Sequence, residues 1–200
     1  MASMYSLVGP MFSGKTGELI RRLRLAEHAD MKVECVKPKR DILHNGEICS
    51  KGKDSKDDLD FNNRVLSFPA TEIQTVDELV ELIDVRKPDL LGVDEAQFFL
   101  GDDFVKLFRR LHESREYSKL IVIMAGIDMT SEGEPMGNMP AFMALSEVEK
   151  LKAVCFRCKT WPPTATMSYY KAGRKSDQVS VGAADKYEAV CLKCWTILNG

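Results

Sequence analysis

The sequence predicts an α/β fold, a parallel sheet with helices on both faces, followed by a small cysteine-rich domain. Three observations carry this expectation. The run GPMFSGKT, Gly9 to Thr16, sits between an apolar stretch and a helical pattern; strand-like and helix-like segments then alternate as far as about residue 148; and two Cys-x-x-Cys pairs lie near the other end of the chain. The expected division is an α/β domain over residues 1–148 and a second domain over 149–200.

In chain order, residues 4–8 read as a strand and 15–27 as a helix with Leu19, Ile20, Leu23 and Leu25 as its apolar positions. A second strand is expected over 33–36. The pattern then dissolves into a polar, charge-dense segment between Lys37 and Asn63, which reads as a loop. Residues 65–68 resume as strand. Thr75 and Glu78 have the spacing of a capping box that opens a helix to about residue 85. Buried strands are expected over 89–93 and 120–125, separated by a helix over 103–113 that aligns Phe104, Leu107, Phe108 and Leu111 on one face. From about residue 151 short β-type runs alternate with the cysteine pairs.

Composition excludes some function classes. With 28 basic and 30 acidic residues the net charge is −2, so no global field draws the protein onto nucleic acid or an anionic membrane. No run approaches the roughly 18 apolar residues of a membrane helix, and the chain begins without an apolar signal region. The expectation is a soluble cytoplasmic protein with no membrane or nucleic-acid partner.

The run from Gly9 through Pro10, Met11, Phe12, Ser13 and Gly14 to Lys15 and Thr16 fits the Gly-x-x-x-x-Gly-Lys-Ser/Thr pattern of a phosphate-binding loop. The glycines let backbone N–H groups close round phosphate oxygens, and the following helix adds the positive end of its dipole. Lys15 is expected to reach the terminal phosphates of a bound nucleotide and Thr16 to ligate Mg²⁺. The apolar run ending at Val93 leads into Asp94 and Glu95. In an open parallel sheet those carboxylates lie at the strand's carboxyl end beside the phosphate loop, Asp94 serving the metal and Glu95 accepting a proton from an attacking hydroxyl.

Cys155 with Cys158 and Cys191 with Cys194 have the spacing of a closed tetrahedral Zn²⁺ site, structural rather than catalytic. Two disulfides are the alternative, disfavoured inside a cell. Cys35 and Cys49 read as core or loop thiols, and His28, His44 and His112 carry no assigned role.

GPMFSGKT, ELIRRLR, VKP, DEAQFF, AGID, KLKAVCFRC and VGAADKYEAVCLKC, in this order over nearly the whole chain, resemble the type II thymidine kinases. The resemblance implies a RecA-like domain with a zinc-anchored lid loop, and transfer of the ATP γ-phosphate to the 5′-hydroxyl of thymidine by a homotetramer. On this alignment Glu95 is the catalytic base, and Gln97 joins Asp94 and the loop residues among the ATP contacts. Met11, Phe98 and Ile127 line the nucleoside pocket, while Val179, Val181, Gly182 and Tyr187 fall on the lid, residues 169–187.

The chain also departs from the family pattern. Ser131 and Met136 stand where aromatics pack on the base, Ser168, Tyr169 and Tyr170 replace a Thr-x-Arg step, Gly182-Ala183-Ala184 replaces Gly-Gly-Ala, and Asp60 is the best match to an acidic loop residue. Two readings fit: an active kinase with an altered pyrimidine preference, or an ATP-binding protein with weakened transfer. A reading from another class is a zinc-ribbon ATP switch or nucleic-acid module, using Lys152, Arg157, Lys159, Lys171, Arg174 and Lys175 with Trp161, Tyr169 and Tyr170.

Overall fold

The computed structural model describes residues 1–39, 46–50, 66–171 and 186–199. In chain order these form β1 (Ser3–Val8), α1 (Lys15–His28), β2 (Val33–Pro38), β3 (Glu47–Cys49), β4 (Ser67–Pro69), β5 (Thr71–Ile73), α2 (Val76–Arg86), β6 (Leu90–Val93), α3 (Asp102–Glu113), β7 (Ile121–Gly126), α4 (Met139–Ala144), β8 (Glu147–Lys150), β9 (Met167–Tyr170), β10 (Tyr187–Val190) and α5 (Leu192–Asn199).

Six strands make one sheet in the order β5-β2-β6-β7-β1-β8, and every pairing within it is parallel. Side chains alternate between its faces because successive Cβ atoms of a strand point opposite ways. Met4 and Val8 of β1 and Val122 and Met124 of β7 join α2, α3 and α4 in one core. Leu7 of β1 and Ile123 and Ala125 of β7 face the other way, onto α1 and the β3–β4 hairpin. Helices therefore cover both faces, as expected.

The local signals explain the helices. Thr75 accepts the Glu78 N–H while the Glu78 carboxylate accepts the N–H groups of Gln74 and Thr75, so the capping box forms as read. The four residues of the predicted stripe on α3, Phe104, Leu107, Phe108 and Leu111, are all buried. Other elements carry no such signal. The polar segment after Lys37 is interrupted by β3, which pairs antiparallel with β4 as a separate hairpin because Ile48 and Phe68 bury against α1's side of the sheet. That places the strand expected at 65–68 on the hairpin, while β5 supplies the sheet edge beside β2. The opposite edge, β8, has the sequence Glu-Val-Glu-Lys and is exposed throughout, a charged edge of the kind that discourages further strand addition.

A third core, outside the main sheet, gathers Ala153, Cys155, Ala165, Met167, Ala189 and Val190 between the antiparallel β9–β10 pair and α5. Met129, from the chain just past β7, packs on it. Among the described residues no helix is long and apolar enough to cross a membrane.

Gly92 in β6 fixes how closely α1 can approach. A Cβ there would stand 2.8 Å from Leu23 Cδ2 and 3.3 Å from Cys35 Sγ, and both neighbours are buried. Gly92→Ala is therefore expected to destabilise the protein by about 1–3 kcal/mol through overpacking, read as a lowered denaturant midpoint; an unchanged midpoint refutes this packing constraint.

Candidate functional site

The phosphate loop leaves β1 at Val8 and turns through Gly9, Phe12 and Gly14 with φ of 148°, 63° and 78°. Gly9 is required for a second reason, since a Cβ would run into the Leu151 carbonyl. Ser13 Oγ and Lys15 Nζ both donate to the Pro10 carbonyl, at 2.8 and 2.7 Å, and hold the loop in an open ring. Gly14 caps α1 without a side-chain acceptor, which leaves the first N–H groups of the helix to face an anion.

The facing wall comes from the end of β6. Asp94 is 5% exposed, and the Thr16 hydroxyl lies 3.2 Å from each of its carboxylate oxygens. A hydroxyl and a carboxylate in contact are the hard oxygen donors that magnesium takes beside phosphates, so these two residues fit that ion. Glu95 follows in a left-handed conformation, φ 49° and ψ 40°, and caps a short 3₁₀ turn over Ala96–Phe98. Gln97 Nε2 donates to Glu95 Oε2 at 2.6 Å, and the Ile127 N–H donates to Gln97 Oε1 at 3.0 Å. The resulting cleft runs across the ends of β1, β6 and β7, with Lys15, Thr16, Asp94, Glu95 and Ile127 on its walls and Ser50 added by the β3–β4 hairpin.

The four paired cysteines also converge. Their sulfurs all lie within 4.8 Å of one another, and Cys158 and Cys191 stand 3.8 Å apart. Thiolates bound tetrahedrally to zinc at about 2.3 Å are separated by about 3.8 Å, so the geometry fits zinc with no open position. Burial opposes ionisation of Cys155, but N–H groups of Cys158, Cys191 and Arg157 bring its thiol down to about 6. The Thr160 hydroxyl lowers Cys158, while Cys194, hydrogen-bonded to Cys191, is pushed up to about 12. Burial raises the Cys35 thiol well above its usual range, helped by the Asp94 charge, which suits an inert core thiol.

The cysteine module touches the phosphate loop directly. The Phe12 ring lies 5.2 Å from that of Phe156, between the first two cysteines, with Lys159 Nζ over the same ring at 4.8 Å. The Met11 N–H donates to Ser168 Oγ at 3.1 Å, and the Leu151 N–H donates to the Val8 carbonyl at 2.8 Å.

Against known proteins, the family model described as thymidine kinase matches residues 2–195. The chain belongs to the thymidine kinase family. It is 33% identical over 195 residues to a thymidine kinase of Bacteroides thetaiotaomicron, covering 97% of this chain and 87% of that protein. Among solved structures it is similar to domain III of the Thermotoga maritima replication initiation protein DnaA, at 16% identity and a TM-score of 0.41, over 76% of this chain and 55% of that one. A DNA replication initiation factor matches at 13% identity and the same TM-score of 0.41, over 76% of this chain and 40% of the other. The chain thus spans about half the length of these two structures or less, and neither is close enough to carry an argument.

In this kinase Met11, Phe12, Gly14, Lys15 and Thr16 of the loop meet Asp94, Glu95 and Ile127 at one cleft, while Gly9, Pro10 and Ser13 are not in its lining. Gln97 is fully enclosed beneath it, and Phe98 is half-buried outside its lining. Tyr187 stands on β10 with its ring 5.2 Å from that of Tyr170. Val179, Val181, Gly182 and Asp60 lie outside the described residues. Two of the basic residues weighed for nucleic acid have partners within the fold. Arg157 pairs with Glu188 at 2.6 Å and lies over the Tyr169 ring, and Lys159 covers Phe156. Sequence reasoning missed Ser50, Phe156 and Ser168, and the one available signal was the apolar residue inside the first cysteine pair.

Native mass spectrometry is expected to find a single zinc ion per chain, and Cys155→Ser or Cys194→Ser to unfold the C-terminal module, since metal binding contributes much of a small module's folding energy; intact variants without metal would reverse this. Phe156→Ala should keep its zinc yet weaken ATP binding by up to about tenfold, the worth of one aromatic pair. Unchanged affinity in that variant would separate the module from the loop.

Proposed function

We propose that the kinase transfers the γ-phosphate of ATP to the 5′-hydroxyl of thymidine or a closely related pyrimidine deoxynucleoside, in the cytoplasm and as the homotetramer the resemblance implies. The observation that carries this reading is the meeting of Lys15, Thr16, Asp94 and Glu95 at one cleft. Four thiols at metal-binding distance suit a reducing compartment, which supports the location.

Loop N–H groups and the Lys15 ammonium hold the phosphates in line with the acceptor. The 5′-oxygen forms its bond to the γ-phosphorus as the bond from that phosphorus to the β–γ bridging oxygen breaks. Glu95 takes the hydroxyl proton, and ADP leaves. Thr16 and Asp94 would hold magnesium, which when bound offsets the charge on the phosphates. Ile127, just past β7, lines the cleft, where the resemblance puts the nucleoside, and the Tyr170 and Tyr187 rings pair beside the segment read as the lid. Ser131 cannot replace a stacking ring; its hydroxyl donates to Glu132 and its carbonyl accepts from Trp195.

Glu95→Gln is expected to keep ATP affinity while turnover falls by a factor on the order of 10², because an amide cannot accept the proton; near-normal turnover places the base elsewhere. Lys15→Ala should damage both binding and rate.

Across a substrate panel, thymidine and deoxyuridine should both be phosphorylated, since one methyl is worth only about 1 kcal/mol. Deoxycytidine and purine nucleosides, with the wrong hydrogen-bonding edge, should be much poorer. A kcat/KM preference for deoxycytidine or a purine, or no turnover at all, rejects the assignment.

A further inference from the structure

Among the described residues the side-chain amide of Gln97 hydrogen-bonds to Glu95 and to the Ile127 backbone. Its side chain is fully enclosed, and both ends are engaged: Oε1 accepts the Ile127 N–H at 3.0 Å, and Nε2 donates to Glu95 Oε2 at 2.6 Å. The first bond decides the second. A side-chain amide can sit either way round, but a backbone N–H can be met only by its oxygen, so the NH₂ must face Glu95.

The enclosure is tight on two further sides. A Cβ on Gly126 would come within 2.6 Å of Gln97 Oε1, and a Cβ on Gly137 would run into the Gln97 carbonyl. Glu95 needs such support. Its left-handed backbone, φ 49°, is uncommon for a residue with a Cβ.

We propose that Gln97 is a positioning residue for phosphoryl transfer: anchored on the Ile127 N–H, it fixes the Glu95 carboxylate in the orientation that takes the proton of the nucleoside hydroxyl. The idea rests on the reading of Glu95 as the base. No bond is made or broken at Gln97, since an amide neither gives nor takes a proton near neutral pH. It contributes by holding the acceptor within the narrow geometry that proton transfer requires. One consequence is that the Ile127 N–H is spent inside the protein and is not offered to the substrate.

The test compares full-length wild type, Gln97→Met, Gln97→Glu, Glu95→Gln and the two double variants, with thymidine, ATP and magnesium. Wild-type activity and its loss in Glu95→Gln judge the proposed function by themselves, before Gln97 is altered. Gln97→Met keeps the length of the side chain and removes the donor. Its kcat should fall by about 10- to 100-fold, with both KM values within about threefold of wild type.

In the Glu95→Gln background the same change should cost almost nothing more, because the group it acts through has gone. A role confined to stability would lower both backgrounds alike. Gln97→Glu keeps the shape and the acceptor for the Ile127 N–H but sets a second carboxyl against Glu95; two carboxyls in contact share a proton, so the base is held partly protonated, and the variant should repeat the loss of kcat and covers the case in which Gln97→Met does not fold. A kcat within about twofold of wild type in either folded variant, or equal losses in both backgrounds, overturns the proposal.

Discussion

The backbone of residues 9–14 is the constraint to which the rest of the molecule answers. A ring of N–H groups wide enough for phosphate needs left-handed φ values, here at Gly9, Phe12 and Gly14. Glycine adopts them freely, whereas Phe12 carries a Cβ into a region that costs roughly 1–2 kcal/mol. Its ring is then placed on Phe156, and that contact is of the size needed to offset the strain. The cysteine module is thus part of the loop's mechanics, because it packs against the loop residue that carries the strain.

The sheet order makes the cleft. β1, which delivers the loop, and β6, which delivers Asp94 and Glu95, are separated by β7 alone. The last residue of β7 is Gly126, so nothing projects from the middle strand end, and Gln97 can reach the Ile127 N–H across it. Smallness at that position serves two purposes: an unobstructed floor between the two walls and room for a buried amide.

What was legible in the sequence was what is local. The phosphate loop, the Thr75 capping box and the apolar stripe of α3 declare themselves within a few residues, and the cysteine pairs through their spacing. β8 was not legible because an exposed Glu-Val-Glu-Lys strand is defined only by backbone pairing with β1, far away in the chain. β3 was hidden in the same way, its single buried Ile48 set in a polar segment. Gln97 was grouped with the nucleotide contacts on the family resemblance. Its orientation depends on a hydrogen bond to Ile127, thirty residues on, and no local pattern encodes that.

β1 also has an uncommon place in the order of synthesis. It precedes the other described strands in the chain, yet its neighbours are β7 and β8, and the Met11 N–H waits for a hydroxyl 157 residues later. Contacts of such separation form late and slowly. On a growing chain the loop therefore emerges first and acquires its supports last, so a truncated product that keeps the whole GPMFSGKT motif still lacks the partners that shape it. The shape of the loop is therefore settled only once the chain as far as Ser168 has folded back onto it.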